Sequence, residues 1–208
     1  FIQQSQTAID HGAFHNDVVC VGNEKVLIYH EKAFESGLDF TQIHNEKRIS
    51  NLVPICISES DLPLQDAIKS YFFNSQLLST KNGKMTLLAP IECLDLNTVQ
   101  HVMSSILDSD QNPIESVHYV HIKDSMLNGG GPACLRFRMV LTESELNTIH
   151  PAFILTQHRY ESLYECISNL YPSELTVDKL VSLDFLKQTD EIYRELAKVF
   201  NMPDLYQR

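Results

Sequence analysis

Residues 128–138 read NGGGPACLRFR, three glycines and a proline followed by one thiol, Cys134. Because glycine tolerates backbone angles that other residues avoid, successive N–H groups in such a run can converge on a bound group or a developing charge. From Cys134 onward the residues alternate, which predicts a strand whose buried face carries Leu135, Phe137, Met139 and Leu141. The stretch favours a nucleophilic thiol at the start of a strand, near the cation of Arg136. The alternative is a buried structural cysteine at a tight turn.

A second segment, GAFHNDVVCVGN at residues 12–23, is typical of a strand that ends in a Gly-Asn turn. Its alternation would place His15 and Asp17 on one face and Cys20, as an inert core thiol, on the other. An imidazole beside a carboxylate can move protons while the carboxylate holds a cation. The pair could equally be a structural one whose hydrogen bonds are satisfied within the fold.

Three segments resemble the C-terminal half of the N-succinylarginine dihydrolase family: residues 12–23, residues 125–142 and YFFNSQLLS at residues 71–79. That family belongs to the guanidine-modifying superfamily of arginine deiminases and amidinotransferases. The resemblance runs over nearly the whole chain and is weakest in the last forty or so residues. The string from Asn128 to Cys134 is its most specific part.

The resemblance implies a role for four residues. Cys134 corresponds to the nucleophile of the family and His15 to its general acid/base, while Asp17 and Asn128 correspond to substrate contacts. Asn128 also reads simply as a good turn former before glycines. The third catalytic residue of the family, a glutamate, is expected upstream of this sequence, which opens on Phe1 rather than methionine as a piece of a longer chain would.

The activity implied by the resemblance is hydrolysis of N-succinylarginine to succinylornithine, two ammonia and carbon dioxide. Two alternatives stay open. The chemistry could act on another guanidino substrate, as in an arginine deiminase or an amidinotransferase, or these 208 residues could be a structural fragment without catalysis of its own. A cysteine peptidase is less favoured, because a carboxylate that holds a guanidinium has no evident use in acyl transfer.

Composition excludes several other classes. The chain has 208 residues, 43% hydrophobic, enough for one sizeable core. Its formal charge of -11 argues against nucleic acid as a partner, and no apolar run approaches the roughly 20 residues of a membrane span. Five cysteines without CxxC spacing indicate reduced thiols and a cytoplasmic location. No cofactor is expected, and no metal, because His118 and His121 would face opposite sides of a strand. A homodimer is implied by the resemblance alone.

The pattern along the chain predicts an α/β fold in which strand–helix–strand–hairpin order recurs, compatible with repeated ββαβ units. The resemblance makes this the C-terminal portion of a five-bladed α/β propeller built from ββαβ units, with 1–208 as one domain and 143–208 as its mainly helical tail. The predicted strands are 18–21, 25–30, 52–58, 76–80, 84–90 and 116–122, and the predicted helices are 64–74, 96–107, 160–170 and 184–200.

Overall fold

A computed structural model describes residues 2–35, 52–122, 134 and 139–206. The chain divides into two compact units, Phe1–Arg138 and Met139–Arg208. In the part that the structure describes, all strands lie in the first unit and the second unit is helical. That the two units form one domain stays a prediction.

The first sheet contains β1 (Cys20–Asn23), β2 (Val26–His30) and β3 (Val53–Ile57). β1 and β2 form an antiparallel hairpin, but the turn predicted at Gly22-Asn23 is wrong, because both residues pair with β2 and the turn lies at Glu24-Lys25, with Glu24 at a positive φ of 50°. β3 pairs with β2 in parallel. The predicted start of the first strand at Val18 is wrong, because a turn occupies the residues before Cys20.

The second sheet repeats this order with β4 (Gln76–Ser79), β5 (Met85–Pro90) and β6 (Ile114–Val120). β4 and β5 are antiparallel, and the turn between them contains Asn82 and Gly83, with Gly83 at a φ of 71°. A helix, α3 (Asn97–Leu107), then crosses to the parallel strand β6. This sheet is therefore a ββαβ unit, as the sequence predicts.

Each sheet is preceded by a short helix and one turn of 3₁₀ helix. α1 (Gln6–Asp10) leads to the 3₁₀ helix Asn16–Val18 and then to β1. α2 (Leu64–Ser70) leads to the 3₁₀ helix Phe72–Asn74 and then to β4. The prediction of one helix over 64–74 is wrong at its end, because Tyr71 adopts the left-handed conformation with φ 55° and stops α2.

The sheets and helices enclose two clusters of buried side chains. The larger joins both sheets to α2 and α3, and its biggest fully buried members are Ile28, Leu62, Phe72, Phe73, Leu77, Met85 and Leu87. The smaller lies under α1 and contains Ala8, Ala13, Val19, Cys20, Tyr29, Ala33 and Leu64. Because this second cluster includes residues on both sides of the 3₁₀ helix Asn16–Val18, it fixes that turn to the sheet.

The two sheets meet where β1 lies beside β4. Asn23 Nδ2 donates to Ser79 Oγ at 2.9 Å, and Ser79 Oγ donates to Glu24 Oε1 at 2.6 Å. Two adjoining sheets of the same order fit a repeated ββαβ architecture. Since the described residues form no closed ring of sheets, the five-bladed propeller stays a prediction.

The second unit contains α4 (Glu143–Leu146), α5 (Gln157–Leu170), α6 (Val177–Leu180) and α7 (Leu183–Val199). A capping box of Thr142 and Glu145 starts α4, and the helices predicted over 160–170 and 184–200 are confirmed. The prediction that the strand after Cys134 continues past residue 138 is wrong: residues 139–142 pair with no described strand, and Met139 is 63% exposed. Alternation alone cannot form a strand without a partner. No helix in the described ranges is long and apolar enough to cross a bilayer.

Candidate active site

His15 and Asp17 lie on a 3₁₀ turn rather than on a strand. His15 caps the turn in extended conformation, and Asn16–Val18 form the 3₁₀ helix, closed by N–H groups of Val18 and Val19 that donate to His15 O and Asn16 O, each at 3.1 Å. The prediction of a shared strand face is therefore wrong, because consecutive residues of a 3₁₀ helix rotate by about a third of a turn. His15 and Asp17 nevertheless belong to the same short turn.

The two side chains differ in their exposure. His15 is exposed, whereas Asp17 is half-buried and its Oδ1 atom is buried. Asp17 also stands in the first turn of the 3₁₀ helix, where the backbone N–H groups favour a negative charge. An exposed imidazole next to a partly sheltered carboxylate can exchange protons with a solute while the carboxylate fixes a cation.

Hydrogen bonds hold this turn on both sides. The Cys20 thiol donates to Asn16 O at 3.1 Å, and the His30 backbone N–H donates to Val19 O at 2.9 Å. Before the turn, the N–H of the fully buried Ala13 donates to Ala8 O at 3.0 Å. Cys20 is thus a buried thiol, as predicted, and it also supports the turn that carries His15.

Residues 71–79, another of the segments that resemble the family, lie beside this turn. The 3₁₀ helix Phe72–Asn74 packs against the 3₁₀ helix Asn16–Val18. Phe72 and Phe73 are buried at 1% and 0% exposure, with their rings edge-to-face at 4.8 Å between centroids. The segments 12–23 and 71–79, which are far apart in sequence, therefore form one surface in the first unit.

The third segment is described only in part. Asn128 and the glycines that follow it lie outside the described residues. Cys134 is described, belongs to the first unit and is exposed. Exposure does not fit the alternative of a buried structural cysteine, and it contrasts with Cys93, where burial, reinforced by the charge of Glu92, raises the pKa of the thiol to about 12.

Sequence reasoning missed His30, a buried histidine that contacts both 3₁₀ segments through Val19 and Phe73. The His30 side chain is fully buried, its Nε2–H donates to Leu62 O at 2.9 Å, and its Nδ1 accepts from the Lys32 N–H at 3.1 Å. Its ring meets Phe73 edge-on with 6.4 Å between centroids. A polar residue that ends the apolar strand VLIYH is the signal that could have revealed it.

His30 is held as the neutral imidazole. Burial lowers its pKa below the usual 6.5, although the Leu62 carbonyl and the nearby carboxylates of Glu59 and Glu31 act in the opposite direction. Glu59 Oε2 lies 3.3 Å from His30 Nε2, and Glu59 also pairs with Lys32 at 3.0 Å. The neutral form suits the geometry, because a proton on Nδ1 would remove the acceptor for the Lys32 N–H.

In the described residues, no group of three or more His, Cys, Asp and Glu side chains is placed to hold an ion. His118 lies in β6, His121 follows it, and both are exposed. The turn itself supplies an imidazole, from His15, and a carboxylate, from Asp17.

Comparison with known proteins gives one consistent result. The family model of succinylarginine dihydrolase matches residues 1–208. The N-succinylarginine dihydrolase of Pseudoalteromonas atlantica is 37% identical over 207 residues, which are 99% of this chain and 46% of that protein. Those of Shewanella loihica and Pseudomonas fluorescens are 35% and 38% identical, over 100% and 99% of this chain and 46% of each relative. The chain spans about half the length of the curated relatives it matches.

Proposed function

Because this chain belongs to the succinylarginine dihydrolase family, we propose that the protein containing it hydrolyses N-succinylarginine to N-succinylornithine, two ammonia and carbon dioxide. The observation that carries the proposal is the surface on which His15 and Asp17 adjoin the segment Phe72–Asn74, together with an exposed Cys134 in the same unit. The residue types match the chemistry of a guanidinium, a cation whose carbon is a poor electrophile.

Asp17 binds the substrate. Its carboxylate accepts N–H bonds from the edge of the guanidinium, and these charge-assisted bonds fix the plane of the cation. Partial burial shields the pair from water and strengthens it. Asn128 adds a hydrogen bond to the substrate outside the guanidinium.

Cys134 and His15 perform the covalent step. The Cys134 thiolate attacks the guanidinium carbon and forms a C–S bond, and one C–N bond breaks as His15 protonates the departing ammonia. His15 then takes a proton from water, whose oxygen bonds to the same carbon while the C–S bond breaks. The thiolate is restored, and the substrate now carries a neutral ureido group.

A second round of the same steps completes the reaction. The thiolate attacks the ureido carbon, the second ammonia leaves, and water releases a carbamate that decomposes to the amine and carbon dioxide. Two water molecules are consumed for each substrate. No oxidant, metal or cofactor enters this balance.

The resemblance assigns a further catalytic glutamate to a region upstream of this sequence, so the 208 residues alone are expected to hold an incomplete site. Catalytic groups that act as a unit lose most of their rate when one is absent. A homodimer, a cytoplasmic location and a five-bladed propeller belong to the same proposal. The propeller is supported by the two adjoining sheets of equal strand order.

Ammonia release from N-succinylarginine tests the proposal, measured for a protein of the relatives' full length that contains residues 1–208 and for residues 1–208 alone. We expect turnover only at full length and its loss on Cys134→Ala. Cys56→Ala is the matched control, because Cys56 is also an exposed thiol of the first unit. Full activity of the Cys134→Ala protein would reject the nucleophile, and equal turnover of free arginine would reject the succinylated substrate.

A further inference from the structure

Phe14, directly before His15, exposes 78% of its surface. The phenylalanines of the adjoining 3₁₀ helix, Phe72 and Phe73, are almost fully buried. In the ranges that the structure describes, no aromatic ring or cation contacts the Phe14 ring. A large apolar side chain is thus presented to solvent beside the candidate acid/base and the candidate cation ligand.

The backbone that presents Phe14 is fixed. Ala13 is fully buried, its N–H donates to Ala8 O at 3.0 Å, and its carbonyl accepts from Gln4 Nε2. The Phe14 N–H donates to Gly12 O at 3.0 Å, and His15 begins the 3₁₀ turn. Because both neighbours are anchored, the position of the ring is set by the fold rather than by a loose loop.

We propose that the Phe14 ring is the platform on which one face of the substrate guanidinium lies, which makes Phe14 a specificity-determining residue. The inference rests on the proposed function and adds a contact to it. An aromatic face attracts a cation through its quadrupole, and a planar guanidinium can stack on such a face.

The three contacts use different parts of a planar cation. The Asp17 carboxylate takes N–H groups at the edge, in the plane. Phe14 takes one face. A nucleophile must approach a trigonal carbon perpendicular to its plane, so the opposite face stays open for the Cys134 sulfur. An aliphatic side chain at residue 14 could fill the space but would not select a cation.

The two rounds of the reaction separate these effects. The first round acts on a cation, and the second acts on a neutral ureido group. A cation–π contact therefore assists the first round much more than the second, whereas a contact that only fills space assists both equally. The ratio of kcat/KM for N-succinylarginine to kcat/KM for N-succinylcitrulline reports the difference.

The experiment compares Phe14→Leu and Phe14→Tyr with the parent protein at full length. We expect Phe14→Leu to lower the ratio roughly three- to thirty-fold, the range of a cation–π contact, and Phe14→Tyr to keep it within about twofold of the parent, because tyrosine retains the aromatic face. Equal losses on both substrates, or an unchanged ratio in Phe14→Leu, would overturn the inference.

Failure of the proposed function has a different signature. If the parent protein releases no ammonia from N-succinylarginine, both the function and the platform are wrong. If the parent turns over both substrates and the ratio does not depend on residue 14, only the platform is wrong. Thermal unfolding of each variant, monitored by circular dichroism, shows whether a loss of rate comes from loss of the fold. If Phe14→Leu does not fold, a folded Phe14→Tyr protein still tests the platform, because its kcat/KM ratio should stay within about twofold of that of the unmodified protein.

Discussion

The 3₁₀ helices Asn16–Val18 and Phe72–Asn74 occupy equivalent places in two repeats. Each follows a short helix and is separated by one residue from the first strand of a sheet. The two helices are 56 residues apart in sequence, the same separation as that of the hydrogen-bonded pair Asn23 and Ser79. Yet in the first helix Asn16 is exposed and Asp17 half-buried, whereas their equivalents in the second, Phe72 and Phe73, are buried. The residues before the helices also differ in backbone conformation, because His15 is extended and the equivalent Tyr71 is left-handed, so the two turns differ in both backbone and side chains.

The comparison also shows why the two turns pack together. The half-buried Asp17 is equivalent in position to the fully buried Phe73. The apolar turn, Phe72–Asn74, is a rigid support, because its Phe73 ring packs against the ring of His30. The polar turn, Asn16–Val18, packs against this support and is ordered by it, although most of its own side chains are not buried.

The largest expected effect comes from removing the imidazole of His15, which tests whether the two turns have different roles. We expect His15→Gln to lower kcat about 10²–10⁴-fold in the full-length protein, the usual contribution of a general acid/base. Thermal stability should change little, because the side chain is exposed. His118→Gln is the control, since it changes another exposed histidine of the same unit. Equal activity of the two variants would remove His15 from the mechanism.

The same turns show where sequence reasoning succeeds and where it fails. The hairpin at Gly83 and the helix α3 were predictable, because a turn dipeptide and an eleven-residue amphipathic helix each leave a clear pattern. A single 3₁₀ turn is too short to show a period. The valines after Asp17 therefore made it resemble a strand, although its bonds close locally.

Parts of the candidate site were also predictable. The identities of His15, Asp17 and Cys134 followed from motif resemblance, whereas the supporting groups did not. His30 and Phe73 contact across 43 residues of sequence, and such contacts depend on how the two sheets pack. No local pattern encodes them, and only the folded chain shows that a buried histidine lies beneath the polar turn.

The second prediction tests the structural role of the apolar turn, Phe72–Asn74. Phe73→Ala removes a fully buried ring from between His30 and Phe72, so we expect it to lower the free energy of unfolding by about 3–5 kcal/mol. Phe14→Ala, at the exposed end of the other turn, should change it by no more than about 0.5 kcal/mol. Urea unfolding of both variants measures the difference. Similar losses from both would mean that the two turns do not differ in structural role.

The third prediction concerns pH and the neutral His30. Since burial lowers the pKa of His30, its contribution to stability is present above about 6.5 and is lost as the pH falls below that value toward the lowered pKa. We expect the urea midpoint to decrease between pH 7 and pH 5. In His30→Gln, which cannot ionise, this part of the decrease should be absent. An identical pH dependence in both proteins would show that His30 does not titrate during unfolding.

Glu59 acts in the same direction at lower pH. Partial burial opposes its ionisation, but hydrogen bonds from Lys32 and from the Leu64 N–H lower the pKa of Glu59 below 4.5. Its contribution is therefore present above about pH 4.5 and is lost as the pH falls toward the lowered pKa. His30→Gln keeps Glu59 and should retain this second decrease, which separates the two groups within one titration series.

The smallest effect should come from the thiol under the polar turn. Cys20→Ala removes the donor to Asn16 O, and because a thiol is a weak donor and Asn16 O still accepts from Val19, we expect a stability loss of only about 1 kcal/mol. The released turn should lower kcat/KM several-fold, and Cys20→Ser, which keeps a donor, should recover most of it. Cys93→Ala is the matched control, because Cys93 is also buried and donates to a backbone carbonyl, Ser70 O, at 3.5 Å. If Cys93→Ala lowers kcat/KM as much as Cys20→Ala at equal loss of stability, activity follows overall stability and the polar turn has no special need for its support.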